Sequence, residues 1–315
     1  MTLPPPAPTE PKPVTSGGAA RQRLPPHAYF VVSAVFHYLG PAFAVLLFAH
    51  VDALGVAWLR IASAAVIFLL WRRPWRTWQR LARRGKQLLF AWGVVLAVMN
   101  SCFYLAIERL PLGTVAAIEF LPVIVIAAIA ARTRRNVSAL ILAGGGVYLL
   151  TDVRLVNEPV GLAFAAANAV LFAAYIVLGH RVAGDDRLPA VDGLALSMII
   201  AAAVALPIGI TDAGPAFTDL AVMAAAVGVG VSSSVIPYLC DQLAMRRLPR
   251  PTYALMVSLL PATATVIGVL VLAQIPAPLE VAGVILVIAG VALHREPGPD
   301  AVDHGESHRE GVRRR

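Results

Sequence analysis

Residues 103–122 read FYLAIERLPLGTVAAIEFLP, and residues 237–261 answer them with PYLCDQLAMRRLPRPTYALMVSLLP. Each stretch begins with Tyr-Leu, passes Leu-Pro, sets a threonine three residues after that proline and closes on a second Leu-Pro. A further pair follows, LAGGGVYLL at 142–150 and VAGVILVIAG at 281–290. Five apolar segments separate equivalent positions. An odd number of crossings turns the second copy upside down, and inverted repeats of this kind typify secondary transporters with a site at the repeat interface.

The surrounding composition suits that reading. The chain is 58% hydrophobic and 14% charged, with mean hydropathy +0.75. Soluble domains carry roughly 25% charged residues. Ten apolar segments can be marked at 28–48, 55–71, 87–107, 112–131, 137–151, 160–179, 190–210, 219–240, 252–273 and 278–294. Their polarity does not alternate with period two, which excludes a transmembrane barrel. The expected fold is therefore all-α and integral to a membrane, with ten transmembrane helices in two inverted five-helix repeats. The repeats would cover 28–151 and 152–294. Residues 1–27 and 295–315, rich in proline and charge, read as cytoplasmic tails without fixed structure.

Net charge +8 raises the question of nucleic acid, and the placement of the charges answers it. Of the 26 basic residues, 23 fall in the tails and in alternate loops, seven of them in RRPWRTWQRLARRGKQ at 72–87. The opposite loops hold only Arg109 and Arg154. That asymmetry puts both termini in the cytoplasm. The basic excess is a topology signal, so no nucleic-acid partner is expected. Tryptophans mixed with cations in the 72–87 loop suit an inner headgroup surface.

Enzyme signatures are missing. Lys12 and Lys86 are the only lysines, so no phosphate loop can form, and His-Glu-x-x-His, Cys-x-x-Cys and GxSxG are absent. No cofactor is expected, and the chain reads as a non-enzyme driven by a gradient, of protons or of the substrate itself. Cys102 and Cys240 lie in separate spans and read as free thiols.

A charge in mid-bilayer costs about 2.5–3.5 kcal/mol and calls for a reason. Helix rise places Glu119 and Asn100 about 10 Å from the outer surface, Arg60 about 8 Å, Asn168 about 12 Å and His37 about 16 Å. Five polar residues thus share one layer. Two readings of Glu119 stay open. Either it pairs with Arg60 and locks two helices together, or it binds a substrate ammonium or a coupling proton. Arg60 would meet a substrate carboxylate or hold Glu119, while Asn100 and His37 would complete the pocket. Ser232, Ser233 and Ser234 read as small residues at a helix crossing, with exposure of backbone carbonyls as the alternative. Gly144, Gly145 and Gly146 read as packing positions. Tyr104, Tyr175 and Tyr238 stand toward span ends, where aromatic anchors are common.

Several stretches carry a resemblance: LRIASAAVIFLLWRRPWR, GVVLAVMNSCFYLAIERLPLGTVAAIEFLP, AAYIVLGHRVAG and IPYLCDQLAMRRLPRPTYALMVSLLPA. Together with ten spans in two halves they resemble the EamA-type branch of the drug/metabolite transporter superfamily. The resemblance implies a cavity between the halves, alternating access and export of small metabolites by proton exchange, with threonine and homoserine foremost. It also carries Asn100, Tyr104, Glu119 and Tyr238 to substrate-binding or coupling positions. The sequence departs from the branch in two ways. Arg132 and Gln274 stand near places where many members have Gly-Glu, and His37 stands where the branch's amino-acid exporters have glutamine. The partners implied are a zwitterionic small molecule and the bilayer of a bacterial inner membrane, and a homodimer is left open. The alternatives are broad efflux of toxic compounds and, from another class, a membrane scaffold or membrane enzyme. Low aromatic content, 7%, weighs against the first.

Overall fold

A computed structural model describes residues 26–130, 133–155, 158–183, 188–237, 240 and 260–293. All regular structure among them is helical: α1 (Pro26–Leu47), α2 (Ala53–Arg72), α3 (Trp75–Arg80), α4 (Arg83–Ile107), α5 (Leu112–Ala130), α6 (Arg134–Leu155), α7 (Pro159–Ala183), α8 (Ala190–Asp212), α9 (Gly214–Thr218), α10 (Leu220–Gly230), a π-helical turn (Val231–Val235), α11 (Leu260–Leu272) and α12 (Pro278–Leu293). The tails expected at 1–27 and 295–315, Tyr238 and the 241–251 loop lie wholly or almost wholly outside the described residues.

These segments form helices because little in them competes with the ladder. They are apolar almost all round, the pattern of a helix with lipid on one side and protein on the other. Ile141 on α6 is 68% exposed and Val170 on α7 is 66% exposed, surfaces that water would penalise and acyl chains accept. Among the described residues five helices are long and apolar enough to cross a membrane: Ala28–Leu47, Ala53–Arg72, Arg83–Ile107, Pro159–Gly179 and Val191–Asp212. Four shorter apolar helices lie at Leu112–Pro122, Leu220–Val235, Leu260–Leu272 and Pro278–Gly290.

The ends are tied by side chains. Asp219 Oδ1 caps α10, accepting from the amides of Ala221 (2.8 Å) and Val222 (3.3 Å). Gln274 Oε1 accepts from the Leu112 amide at 3.1 Å and so caps α5 from a distant loop. Arg73, in the left-handed region at φ 50°, ends α2 with its N–H on the Leu69 carbonyl. Beside it Arg72 bonds Asp192 of α8 at 2.9 Å, and the Thr77 hydroxyl donates to the other oxygen of that carboxylate at 2.8 Å. The basic loop is thereby fastened to the bundle through α3.

Packing follows small residues. α2 lies along α8, α4 runs between α7 and α8, and α6 pairs with α12 in the most extensive contact among the described residues. The last pairing is reciprocal. A Cβ at Gly146 of α6 would sit 2.9 Å from Val287 of α12, and one at Gly290 of α12 would sit 2.7 Å from the Ala139 carbonyl of α6. Of the three consecutive glycines only Gly146 has this role. A Cβ on Gly144 or Gly145 meets nothing within 4 Å.

Gly146→Ala is accordingly expected to cost about 1–3 kcal/mol through overpacking. Gly145→Ala should stay within about 0.5 kcal/mol of wild type. Thermal unfolding of the two variants in detergent reads the difference, and equal midpoints would contradict this account of the α6–α12 contact.

Candidate functional site

The site begins with an arginine that the helices cannot avoid. Arg60 lies in the N-terminal half of α2, flanked by Leu59 and Ile61, and it is 7% exposed. A guanidinium presents five N–H donors in one plane and does not give up its charge. It must therefore be met by oxygens. Its Nη1 donates to Asn100 Oδ1 at 2.7 Å, Nε to the Ser234 hydroxyl at 3.1 Å and Nη2 to the Ser233 carbonyl at 3.1 Å. Three of the five donors are thus engaged, and the Tyr104 hydroxyl lies beside the guanidinium. The guanidinium carbon also lies 5.5 Å from the centre of the Tyr104 ring.

Each acceptor is positioned for a local reason. Asn100 is clamped by its own helix, its Nδ2 donating to the Leu96 carbonyl at 2.8 Å, which fixes Oδ1 toward Arg60. The serines owe their place to the π-helical turn. The hydroxyls of Ser232 (3.1 Å) and Ser233 both donate to the Val229 carbonyl. Such side-chain bonds compete with the backbone ladder. The Ile236 amide then bonds the Val231 carbonyl, five residues back, and the widened turn presents the Ser233 carbonyl to Arg60. Two glycines let neighbouring helices close on this turn. A Cβ on Gly40 of α1 would come within 2.8 Å of the Ser233 backbone, and one on Gly230 within 2.9 Å of the Arg60 carbonyl.

Glu119 forms the second pole. It is 7% exposed, three residues before Pro122, whose ring removes the bond that the Ile118 carbonyl would accept and breaks the ladder of α5 beside the carboxylate. Oε1 accepts from Asn168 Nδ2 at 3.2 Å, and Oε2 has no hydrogen-bond partner among the described residues. Arg60 and Glu119 lie within coulombic range of each other but form no ion pair. The locking pair that the sequence allowed is not made: Asn100 and the serines take the guanidinium, and Asn168 takes the carboxylate.

Around these poles three buried polar atoms have no hydrogen-bond partner among the described residues: Tyr38 Oη, Tyr104 Oη and Asn168 Oδ1. Unpaired buried groups cost about 1–3 kcal/mol each and point to an unfilled polar role. Along α7 the stripe continues below Asn168 with Phe172 and Tyr175. Phe172 meets the edge of Phe120 at 6.0 Å and stacks on Tyr175 at 6.4 Å, and Tyr175 stacks on Trp92 at 5.3 Å.

Six of the residues expected from sequence therefore gather in one region. Arg60, Asn100 and Tyr104 touch directly, Glu119 and Asn168 touch directly, and His37 lies half-buried within coulombic range of Arg60, edge-on to Tyr38 at 5.3 Å. Tyr238 lies outside the described residues. Tyr104 is wholly buried under Arg60, so the anchor reading does not apply to it. Ser233 and Ser234 belong to the site as ligands of Arg60, beyond the packing role read first. Tyr38 went unread. Among the described residues no three His, Cys, Asp or Glu side chains are grouped to hold a metal.

Residues 159–295 match the EamA-like transporter family. The threonine/homoserine exporter RhtA of Salmonella typhimurium (strain SL1344) is 31% identical over 272 residues, covering 84% of this chain and 90% of that protein. The chain belongs to the EamA-like transporter family. RhtA of Escherichia coli (strain K12) is 33% identical over 254 residues, 79% of this chain and 84% of that one. A crystal structure of another protein, 19% identical with TM-score 0.56, covers 85% of this chain and 97% of its own and shares the fold. The stretch matching the EamA-like family holds Asn168 and the serines, whereas Arg60, Asn100 and Glu119 lie in the half before it.

Asn100→Ala removes one charged hydrogen bond from a buried guanidinium and is expected to lower stability by about 1.5–3 kcal/mol. Its thermal midpoint in detergent should fall well below that of Ser101→Ala, whose hydroxyl merely bonds the Ala97 carbonyl of its own helix. Coincident midpoints would contradict the assignment of Asn100 as a principal ligand of Arg60.

Proposed function

We propose that this EamA-like transporter exports small zwitterionic amino acids across a bacterial inner membrane, threonine and homoserine first among them. One observation carries the reading. A buried cation met only by neutral groups and a buried anion with a spare oxygen sit near each other without pairing. An amino acid brings a carboxylate for Arg60 and an ammonium for Glu119, so it neutralises both charges at once. The printed names of the RhtA relatives support the substrate class.

The proposed architecture is ten spans in two inverted halves, with both termini cytoplasmic. Numbering the helices in the ten apolar segments in order and advancing each by five returns similar packing partners. α2 and α8 become each other, as do α6 and α12; α4 on α7 becomes α10 and its π turn on α1; α5 on α7 becomes α11 on α1. That exchange is what a two-fold axis in the membrane plane would produce. Arg60, Asn100 and Glu119 come from one half, while Asn168 and the serines come from the other. Rocking one half against the other would then open the site to alternate sides. Protonation of Glu119 would release the ammonium, and that competition would couple efflux to inward proton movement.

The aromatic column beside Glu119 favours a second reading, efflux of amphiphilic cations that lie on ring faces. Arg60 argues against it. Its unneutralised charge would repel a bare cation, whereas it attracts a carboxylate.

The test is efflux from proteoliposomes preloaded with labelled amino acids, with and without an imposed pH gradient. Threonine or homoserine efflux is expected to saturate, to rise with the gradient and to fall at least about tenfold in Glu119→Gln with membrane insertion intact. Efflux that persists in the variant would remove Glu119 from transport. No amino-acid flux from folded protein would favour the cationic compounds.

A further inference from the structure

We infer that Tyr38 determines substrate specificity, its hydroxyl holding the side-chain hydroxyl of the transported amino acid. The inference rests on the zwitterion reading and asks what remains once carboxylate and ammonium are placed.

The unpartnered polar atoms divide by chemistry. A carboxylate only accepts, and the donors gathered at this pole are the guanidinium of Arg60 and the hydroxyl of Tyr104, whose ring lies beneath it. An ammonium only donates, and the acceptors gathered on the α5–α7 side are the free oxygen of Glu119 and Oδ1 of Asn168. Both sets are then complete. Tyr38 Oη is left over: it is on a side chain 1% exposed, without a partner, and within coulombic range of Glu119. A phenol can both donate and accept, and so can an alcohol.

The position of α1 fits this role. Tyr38 is two residues before Gly40, where α1 closes on the π turn that ligates Arg60, so the tyrosine stands close to the level of that turn. Its ring is fixed by the edge-on contact with His37 and by burial in the core around Tyr104 and Ile118. A rigid, buried, unpaired hydroxyl is a severe filter. A ligand that reaches it satisfies it, and one lacking a hydroxyl leaves it orphaned, which is the circumstance in which a site rejects the deoxy analogue.

2-Aminobutyrate is the deoxy counterpart of both threonine and homoserine, with carboxylate and ammonium unchanged. The experiment compares full-length wild type, Tyr38→Phe and Tyr104→Phe in proteoliposomes, reading kcat/KM for threonine and for 2-aminobutyrate. Wild type is expected to prefer threonine, and Tyr38→Phe to lower that preference by about tenfold or more. Tyr104→Phe, which faces the carboxylate common to both substrates, should reduce both and keep their ratio. An unchanged ratio in Tyr38→Phe overturns the inference while leaving the zwitterion reading intact. So does a wild type that transports both amino acids equally well. Failure of folded wild type to move either amino acid sinks the zwitterion reading, and the role of Tyr38 with it.

Discussion

A guanidinium that stays charged sits among apolar helices, and the arrangement of the bundle around it follows from that constraint. An isolated charge at membrane depth costs about 2.5–3.5 kcal/mol on insertion scales. Here the cost is offset by oxygens from two other elements, Asn100 of α4 and the Ser233–Ser234 pair beyond α10. Three segments must therefore reach one level. Gly230 permits the approach of α2, Gly40 lets α1 close on the same turn, and the π-helical turn frees a backbone carbonyl that a regular helix would have kept for itself. Local backbone irregularity, close helix contact and the buried charge are one arrangement seen from three sides.

None of those ligands neutralises Arg60. Amide, hydroxyl and carbonyl oxygens solvate a cation without cancelling it, and the nearby carboxylate of Glu119 bonds Asn168 instead. A structural ion pair would have removed both charges and left nothing to bind. Keeping them separate costs stability and, in the function we propose, creates a receptor for a molecule that carries both signs. Such a receptor would also suit a carrier, because a site whose charges are met only by cargo or proton would resist changing sides empty.

Much of this was legible in the chain. Glu119, Arg60, Asn100 and Asn168 announce themselves as polar residues in apolar runs, and helix rise puts them at one depth. Rise supplies depth but not azimuth, so the pairing could not be read. Glu119 and Arg60 are the natural couple on charge alone, yet Asn100 faces Arg60 and Asn168 faces Glu119. The Ser233 carbonyl was invisible because every residue has one, and only the widened turn gives it a role. Tyr38 was hidden for another reason: tyrosine is ordinary in a membrane helix, and its importance lies in having no partner, which is a property of the folded structure. The three glycines at 144–146 show the same limit, since one packs and two face open space.

The claim that the site holds a zwitterion by both ends is tested most directly by ligand-induced stabilisation of the purified protein. Threonine, N-acetylthreonine and threoninol differ in which charge they keep. A ligand that binds the folded state raises the thermal midpoint in proportion to the logarithm of its concentration over Kd. Threonine is expected to raise the midpoint. N-acetylthreonine, lacking the ammonium, and threoninol, lacking the carboxylate, are expected to leave it in place at the same concentration. Equal stabilisation by threonine and either analogue would mean that Arg60 and Glu119 do not act together on one ligand, and would contradict the account at its centre.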